Sequence, residues 1–203
     1  LDLAERGGVA INGLTGLIDP NADGEMCQWV FYTTNPPTMT YWFDASTLQA
    51  KCIEADTMLR VMCGSDQNID LRKMSISWLL KLQDPEDGLF YTRDDPNRPW
   101  HRCDSDYLAR LRSPGSESKG NPFPAGADQD YARILAQFRV LRALSVLLQF
   151  EKDPSLVEAG RRLVAGISNR MVFHNTDPKT GKRYAYFPAE GGIGKGMYIG
   201  AAF

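Results

Sequence analysis

DLRKMSISWLLKLQDPEDGLFYTR, Asp70 to Arg93, is the stretch on which the fold turns. Leu71, Met74, Trp78 and Leu82 step by three and four and so share one helical face. Asp84-Pro85 stops that helix, because proline lacks an N–H and disfavours helical geometry in the residue before it. Gly88 permits a tight turn, and Leu89-Phe90-Tyr91 then favours extended backbone.

The same order of signals occurs twice more. Leu14 to Ile18 is followed by Asp19-Pro20, Gly24 and Trp29-Val30-Phe31-Tyr32. Ile167 to Phe173 is followed by Asp177-Pro178, Gly181 and Tyr184-Ala185-Tyr186-Phe187. Three copies of helix, Asp-Pro, glycine and aromatic run predict a repeat of structural units, with Asp-Pro and glycine also being ordinary turn chemistry.

The chain has 203 residues, enough to bury one core, and residues 1–203 read as a single domain. Hydrophobic residues make up 43% and charged residues 24%, the balance of a globular protein. A net charge of −2 gives no reason to expect nucleic acid or an anionic membrane surface as a partner. No apolar run approaches the roughly 20 residues that cross a bilayer, so no membrane is expected either. The pattern is already under way at Leu1, which reads as a processed or cut end, and a secreted or periplasmic location is slightly favoured over a cytoplasmic one.

Cys27, Cys52, Cys63 and Cys103 show no CxxC spacing. Cys52 and Cys63 fall on one helix about 16 Å apart, too far to bridge. Buried free thiols are the leading reading, ahead of a disulfide from Cys27 or Cys103 or a zinc site. Asp19, Asn21, Asp23 and Gly24 match the first half of a calcium loop, but Val30 stands where the bidentate glutamate belongs. Gly192-Ile193-Gly194-Lys195-Gly196 is not a full dinucleotide fingerprint, and no strand–helix unit surrounds it. No cofactor and no metal are therefore expected.

Five helices follow from periodicity. The first spans Leu1 to Ile18, weakened by four glycines. The second, Ala45 to Cys63, carries a main stripe of Leu48, Cys52, Ala55, Leu59 and Met62, widened by Ile53, Met58 and Val61, which predicts burial on more than one side. The third is the one quoted above. The fourth, Asp128 to Gln149, has Tyr131, Ile134, Leu135, Phe138, Leu141, Leu144, Leu147 and Leu148 on a wide apolar arc, with Arg133, Gln137, Arg139 and Arg142 as its polar members. The fifth runs from Leu156 to near Phe173. Links at Gly64–Asn68 and Glu151–Asp153 are short, so each pair is an antiparallel hairpin.

The other connections, Asp19–Asp44, Asp84–Ala127 and the segment after Phe173, are long. Alternate links of antiparallel helices lie at opposite ends, so the long loops gather at one pole, where function concentrates. The first helix ends in the signature that closes the second member of each pair. It therefore reads as half of a hairpin, and the chain as two and a half hairpins of a longer helical toroid.

Hairpins punctuated by Gln83-Asp84-Pro85-Glu86-Asp87-Gly88-Leu89-Phe90 resemble the (α/α) barrel, six-hairpin glycosidase superfamily. The likeness covers most of the chain and is one of architecture and turn style. Bacterial proteins akin to β-L-arabinofuranosidases and uronyl hydrolases are nearest, though the zinc-binding adjacent cysteines of the former are absent. Terpene cyclases share the toroid, but their DxDD or DDxxD motif is missing; Asp104-Ser105-Asp106 is a fragment of it.

The resemblance implies an all-α fold, an incomplete (α/α) toroid with short β-hairpins at one end, and a glycoside hydrolase with a carbohydrate substrate, the rest of the barrel being a missing partner. Glycoside cleavage needs two carboxyl groups across the scissile bond. Asp44, Asp128 and Asp104 are the catalytic candidates, and Asp44 and Asp128 equally suit helix N-caps. Tyr41, Trp42 and Trp100 offer flat faces for sugar rings, His101 and Arg102 a fork for a carboxylate, and Asp130 a further acid, also suited to a helix's first turn. His174 reads as a cation at a helix end and Glu54 as a helix-surface acid. A non-catalytic scaffold that binds a glycan or a protein is the alternative.

Overall fold

The computed structural model describes residues 2–27, 29–31, 35–36, 38–40, 45–91, 131–187, 192–194 and 197–199. Among them the chain is mostly helical, with α1 Leu3–Thr15, α2 Ala45–Cys63, α3 Ile69–Lys81, α4 Ile134–Phe150 and α5 Pro154–Arg170. Nine short strands fill the connections: β1 Ile18–Asp19, β2 Glu25–Met26, β3 Trp29–Phe31, β4 Thr38–Thr40, β5 Tyr131–Arg133, β6 Phe173–Thr176, β7 Arg183–Tyr186, β8 Gly192–Gly194 and β9 Met197–Ile199. Antiparallel ribbons β1–β2, β3–β4 and β6–β7 accompany a three-stranded sheet in the order β5–β8–β9. None of the described helices is long and apolar enough to cross a membrane.

Local chemistry explains the helix ends. The Asp2 carboxylate caps α1, accepting from the N–H of Ala4 and Glu5 at 2.9 and 3.2 Å. Asp153 accepts from Ser155 N–H at 2.8 Å, and Pro154 opens α5 where no N–H is needed. Asn68 enters α3 from a left-handed conformation and spends its side chain on Thr15 Oγ1 of α1 at 2.9 Å.

The three Asp-Pro turns share one hydrogen-bond pattern. The aspartate Oδ1 accepts from the N–H two residues on at 2.8 Å in every copy: Asp19 from Asn21, Asp84 from Glu86, Asp177 from Lys179. Each aspartate carbonyl accepts from the glycine N–H, at 3.0 Å for Gly24, 3.0 Å for Gly88 and 2.8 Å for Gly181. All three glycines have positive φ, where L side chains are strained. Two residues past the glycine, Met26 faces Ile18, Phe90 faces Gln83 and Arg183 faces Thr176 in the same antiparallel register.

Packing repeats as well. Turn one sits on the α2–α3 hairpin and turn two on the α4–α5 hairpin. A Cβ on Gly24 would stand 2.6 Å from the Met74 backbone in α3, and one on Gly88 2.4 Å from the Arg162 carbonyl in α5. Met74 and Arg162 occupy matching places, as do Gln49 of α2 and Gln137 of α4, each pair separated by the same interval in sequence. The step from α1 to its hairpin is thus repeated from α3 to the next.

α2 packs against α1, α3 and α4, and α4 against α5. α3 is antiparallel to both neighbours, which makes α2 and α4 parallel. Arg72 near the start of α3 meets Asp56 of α2 and Glu151 past the end of α4, and Ser75 further along meets Gln49 near the start of α2. Gln83, past the end of α3, faces Phe90, which is held by Gln137 near the start of α4. Midway, Arg142 of α4 donates to Glu54 of α2 at 2.7 Å. Towards their C-terminal ends, Arg72 of α3 lies 3.0 Å from Asp56 of α2 and also bonds Glu151, just past α4. The Arg72 Nε–H is not aimed at Asp56, so that contact is one of charge and not a hydrogen bond. Arg60 completes the cluster, donating to Asp56 at 2.8 Å and to the Ser65 and Gln67 carbonyls of the short link.

Several expectations need correction. The fourth helix begins at Ile134 and not at Asp128, because Tyr131–Arg133 is recruited as β5 against β8. Ile18 and Phe173 are strand residues, so α1 and α5 are shorter than their periodicity. The second helix buries its predicted stripe only in part: Ile53 is buried and Leu48, Cys52 and Leu59 are half-buried, whereas Ala55, Met58, Val61 and Met62 face outward. In the fourth, Leu135 and Phe138 are exposed and the polar Gln137 is wholly buried. His174 lies within β6 and is exposed, not at a helix end. Glu54 points into the α2–α4 seam and not to open solvent.

Candidate functional site

Asp44, Asp104, Asp128, Asp130, Tyr41, Trp42, Trp100, His101 and Arg102 all lie outside the described residues, as does Cys103. What the described residues give is the frame that carries them. In sequence Asp44 directly precedes α2, Asp130 directly precedes β5, and Asp128 lies two residues before Asp130. Since α2 and α4 are parallel neighbours, their N-terminal ends lie at one pole. β8 returns to pair with β5 there, so the connection after the third turn also reaches the start of α4.

Two buried glutamines hold this pole together. Gln49 Oε1 accepts from Met26 N–H at 3.1 Å, while its amide donates to the Gly24 carbonyl at 2.9 Å and to the Ser75 carbonyl and hydroxyl at 3.0 and 2.9 Å. Gln137 grips the next turn in a related way, accepting from Phe90 N–H and donating to the carbonyl of Phe90 itself, both at 2.8 Å. Met26 and Phe90 are non-hydrogen-bonded members of their ladders, so their N–H and C=O point outward; the Gln137 amide matches both groups of Phe90, whereas Gln49 takes the Met26 N–H and the Gly24 carbonyl. Gln83 adds a link to the hairpin beneath, donating to the Gly88 and Ala159 carbonyls and accepting from Arg162.

At the root of the long connection after turn two, Tyr91 donates to Asp87 Oδ2 at 2.6 Å and Arg170 reaches the same oxygen at 3.2 Å. Burial pushes the Tyr91 phenol well above its ordinary range, and the Asp87 hydrogen bond and charge add to this. The group is therefore a neutral donor that braces the end of turn two.

None of the described carboxylates makes a free catalytic pair. A cavity of about 10 Å³ between α1, α2 and α3, lined by Cys52, Asp56 and Arg72 among others, has room for one water and not for a sugar. Burial also raises the Cys52 thiol. An open groove of about 640 Å³ lies at the opposite pole, beside the α4–α5 link. Its acids are engaged: Glu151 with Arg72, Asp153 as a cap, Glu158 with Arg161 at 3.4 Å. Cys52 and Cys63 are free thiols, and no cluster of three or more His, Cys, Asp or Glu side chains suited to a metal occurs among the described residues. Asp19 caps its own turn in the half-matched calcium loop.

The glutamine clamps escaped the sequence reading, because a glutamine between leucines and arginines counts as a polar-face residue. The signal was present: aligning the two hairpins places Gln49 and Gln137 in register. Comparison of the chain with known protein families, with curated proteins and with solved structures finds no match.

Proposed function

We propose that the chain is an arc of an (α/α) toroid and that its long-connection pole carries the carbohydrate cleft of a glycoside hydrolase. The observation that supports this is the pairing of parallel α2 and α4, whose N-terminal ends share one pole, with Asp44 next to the first in sequence and Asp128–Asp130 just before β5. In this reading two of Asp44, Asp104 and Asp128 act as general acid and as base or nucleophile. Tyr41, Trp42 and Trp100 stack on sugar rings, and His101, Arg102 and Asp130 bind hydroxyls or a uronate. Turns one and two, pinned by buried glutamines, are the rigid footing such loops need. The remaining hairpins of the toroid are partners of this arc.

Turnover of a panel of aryl glycosides and oligosaccharides tests the reading. The expected outcome is hydrolysis that falls by at least about 100-fold in Asp44→Asn or Asp128→Asn, as for loss of a general acid or base. Turnover untouched by both changes rejects the residue assignment. A second reading, a glycan-binding scaffold without catalysis, draws support from the exposed aromatics of β7; binding to the panel without turnover decides for it.

A further inference from the structure

Turns one and two each pack against the hairpin that follows them, and among the described residues no helical hairpin packs on turn three. Turns one and two are covered by the next first-member helix, which grips the residue two past the glycine. Arg183 holds that register in turn three, so its N–H and C=O face away from β6, as do those of Met26 and Phe90. Around it the surface is apolar and open: Tyr184, Tyr186 and Phe187 of the β7 segment are exposed, and Phe187 meets Phe138 of α4 edge-on at 5.0 Å.

The matching surface one repeat earlier is closed. Thr47 and Ala50 of α2 are 6% and 0% exposed, because α4 lies over that side of the helix. Their counterparts in α4, Leu135 and Phe138, are 48% and 36% exposed. The internal α2–α4 interface therefore states what covers such a face: a parallel helix, with its own second helix behind it, bearing a buried glutamine.

We propose that the face formed by Leu135, Phe138, Tyr184, Tyr186 and Phe187 seats a further helical hairpin of this repeat, whose first helix clamps the Arg183 backbone through a glutamine. The proposal rests on the repeat that underlies the toroid reading and not on sugar chemistry. A second copy of this chain does not fit the seat. Its free first-member face is on α2, where Gln49 is already committed to turn one and α1 stands where the incoming chain would meet α5.

The test is to append a copy of residues 134–170 to the full chain through a flexible linker and to follow amide exchange. Docking is expected to slow exchange at Arg183 at least about tenfold. Gln137→Ala in the appended copy alone is expected to abolish that protection. A second fusion carrying residues 45–81 guards against an appended hairpin that does not fold. If neither fusion protects Arg183, the seat is rejected. Protection of Arg183 in the unmodified chain that grows with concentration also overturns the proposal, in favour of self-association. Because glycosidase turnover is read separately, failure of one reading leaves the other distinguishable.

Discussion

Turns two and three have the same backbone and opposite fates. Asp84–Tyr91 is roofed by α4 and floored by α5, with Leu89, Phe90 and Tyr91 essentially buried. Asp177–Phe187 makes the same capping and glycine hydrogen bonds yet exposes most of its residues. The local signal thus specifies the turn's shape, while neighbouring helices decide what the turn is worth. Turn chemistry supplies conformation; packing supplies free energy.

The glycines give the largest test of that difference. Gly88→Ala adds a Cβ 2.4 Å from the Arg162 carbonyl and also strains a backbone at φ 76°. The two costs together are expected to destabilise by about 4 kcal/mol in chemical denaturation. Gly181→Ala, at φ 68° with nothing within 4 Å, carries only the conformational cost, about 1 kcal/mol. Equal losses at the two sites would break the comparison.

The clamps come next. Gln137→Ala leaves the buried Phe90 N–H and C=O without their partner and is expected to cost about 2–4 kcal/mol. Gln49→Ala, at the first turn, is expected to cost a similar amount. Gln149→Ala, on the exposed side of α4, is expected to stay within about 0.5 kcal/mol. A clamp variant as stable as Gln149→Ala would mean that the glutamines follow the packing and do not hold it.

These residues also show what sequence reveals and what it hides. Asp-Pro, a glycine four or five residues after the aspartate and an aromatic run specify a turn through their own φ preferences and short side chains, so all three turns were legible. Helix faces were less so. Periodicity reports that α2 has apolar positions on several sides but not which neighbour takes each, so Met58 and Met62 read as core and are exposed. Gln137 read as surface because its value depends on Phe90, 47 residues away. Counting loops predicts a shared pole for the candidate acids; their mutual geometry depends on contacts between segments far apart in sequence, which periodicity does not carry.

A smaller effect lies in the tyrosines. Tyr91→Phe removes a 2.6 Å hydrogen bond to Asp87 and is expected to cost about 1–2 kcal/mol, whereas Tyr184→Phe in the exposed ribbon is expected to cost less than about 0.5 kcal/mol. The phenol adds a pH dependence. Its pKa is raised in the folded state, so its stabilising contribution is complete below the ordinary tyrosine range near pH 10 and declines as pH rises above it. Tyr91→Phe is expected to remove that part of the alkaline decline, read from denaturation midpoints above and below pH 10.

The smallest expected effect isolates the turn from its roof. In turn three the Asp177 carboxylate accepts from the Thr180 hydroxyl at 2.7 Å and from the Lys179 N–H at 2.8 Å, and these bonds, Thr180 first, hold it below its ordinary range. A depressed carboxylate stabilises above its unfolded pKa and loses that contribution as pH falls through its folded value. Thr180→Val is expected to move the Asp177 titration, followed by NMR, back towards the usual aspartate range while the midpoint of global unfolding at neutral pH stays put. An Asp177 titration unmoved by the change would show that the backbone donor alone sets the charge. A shifted unfolding midpoint would show that the exposed turn, even without a helix above it, contributes to the stability of the whole.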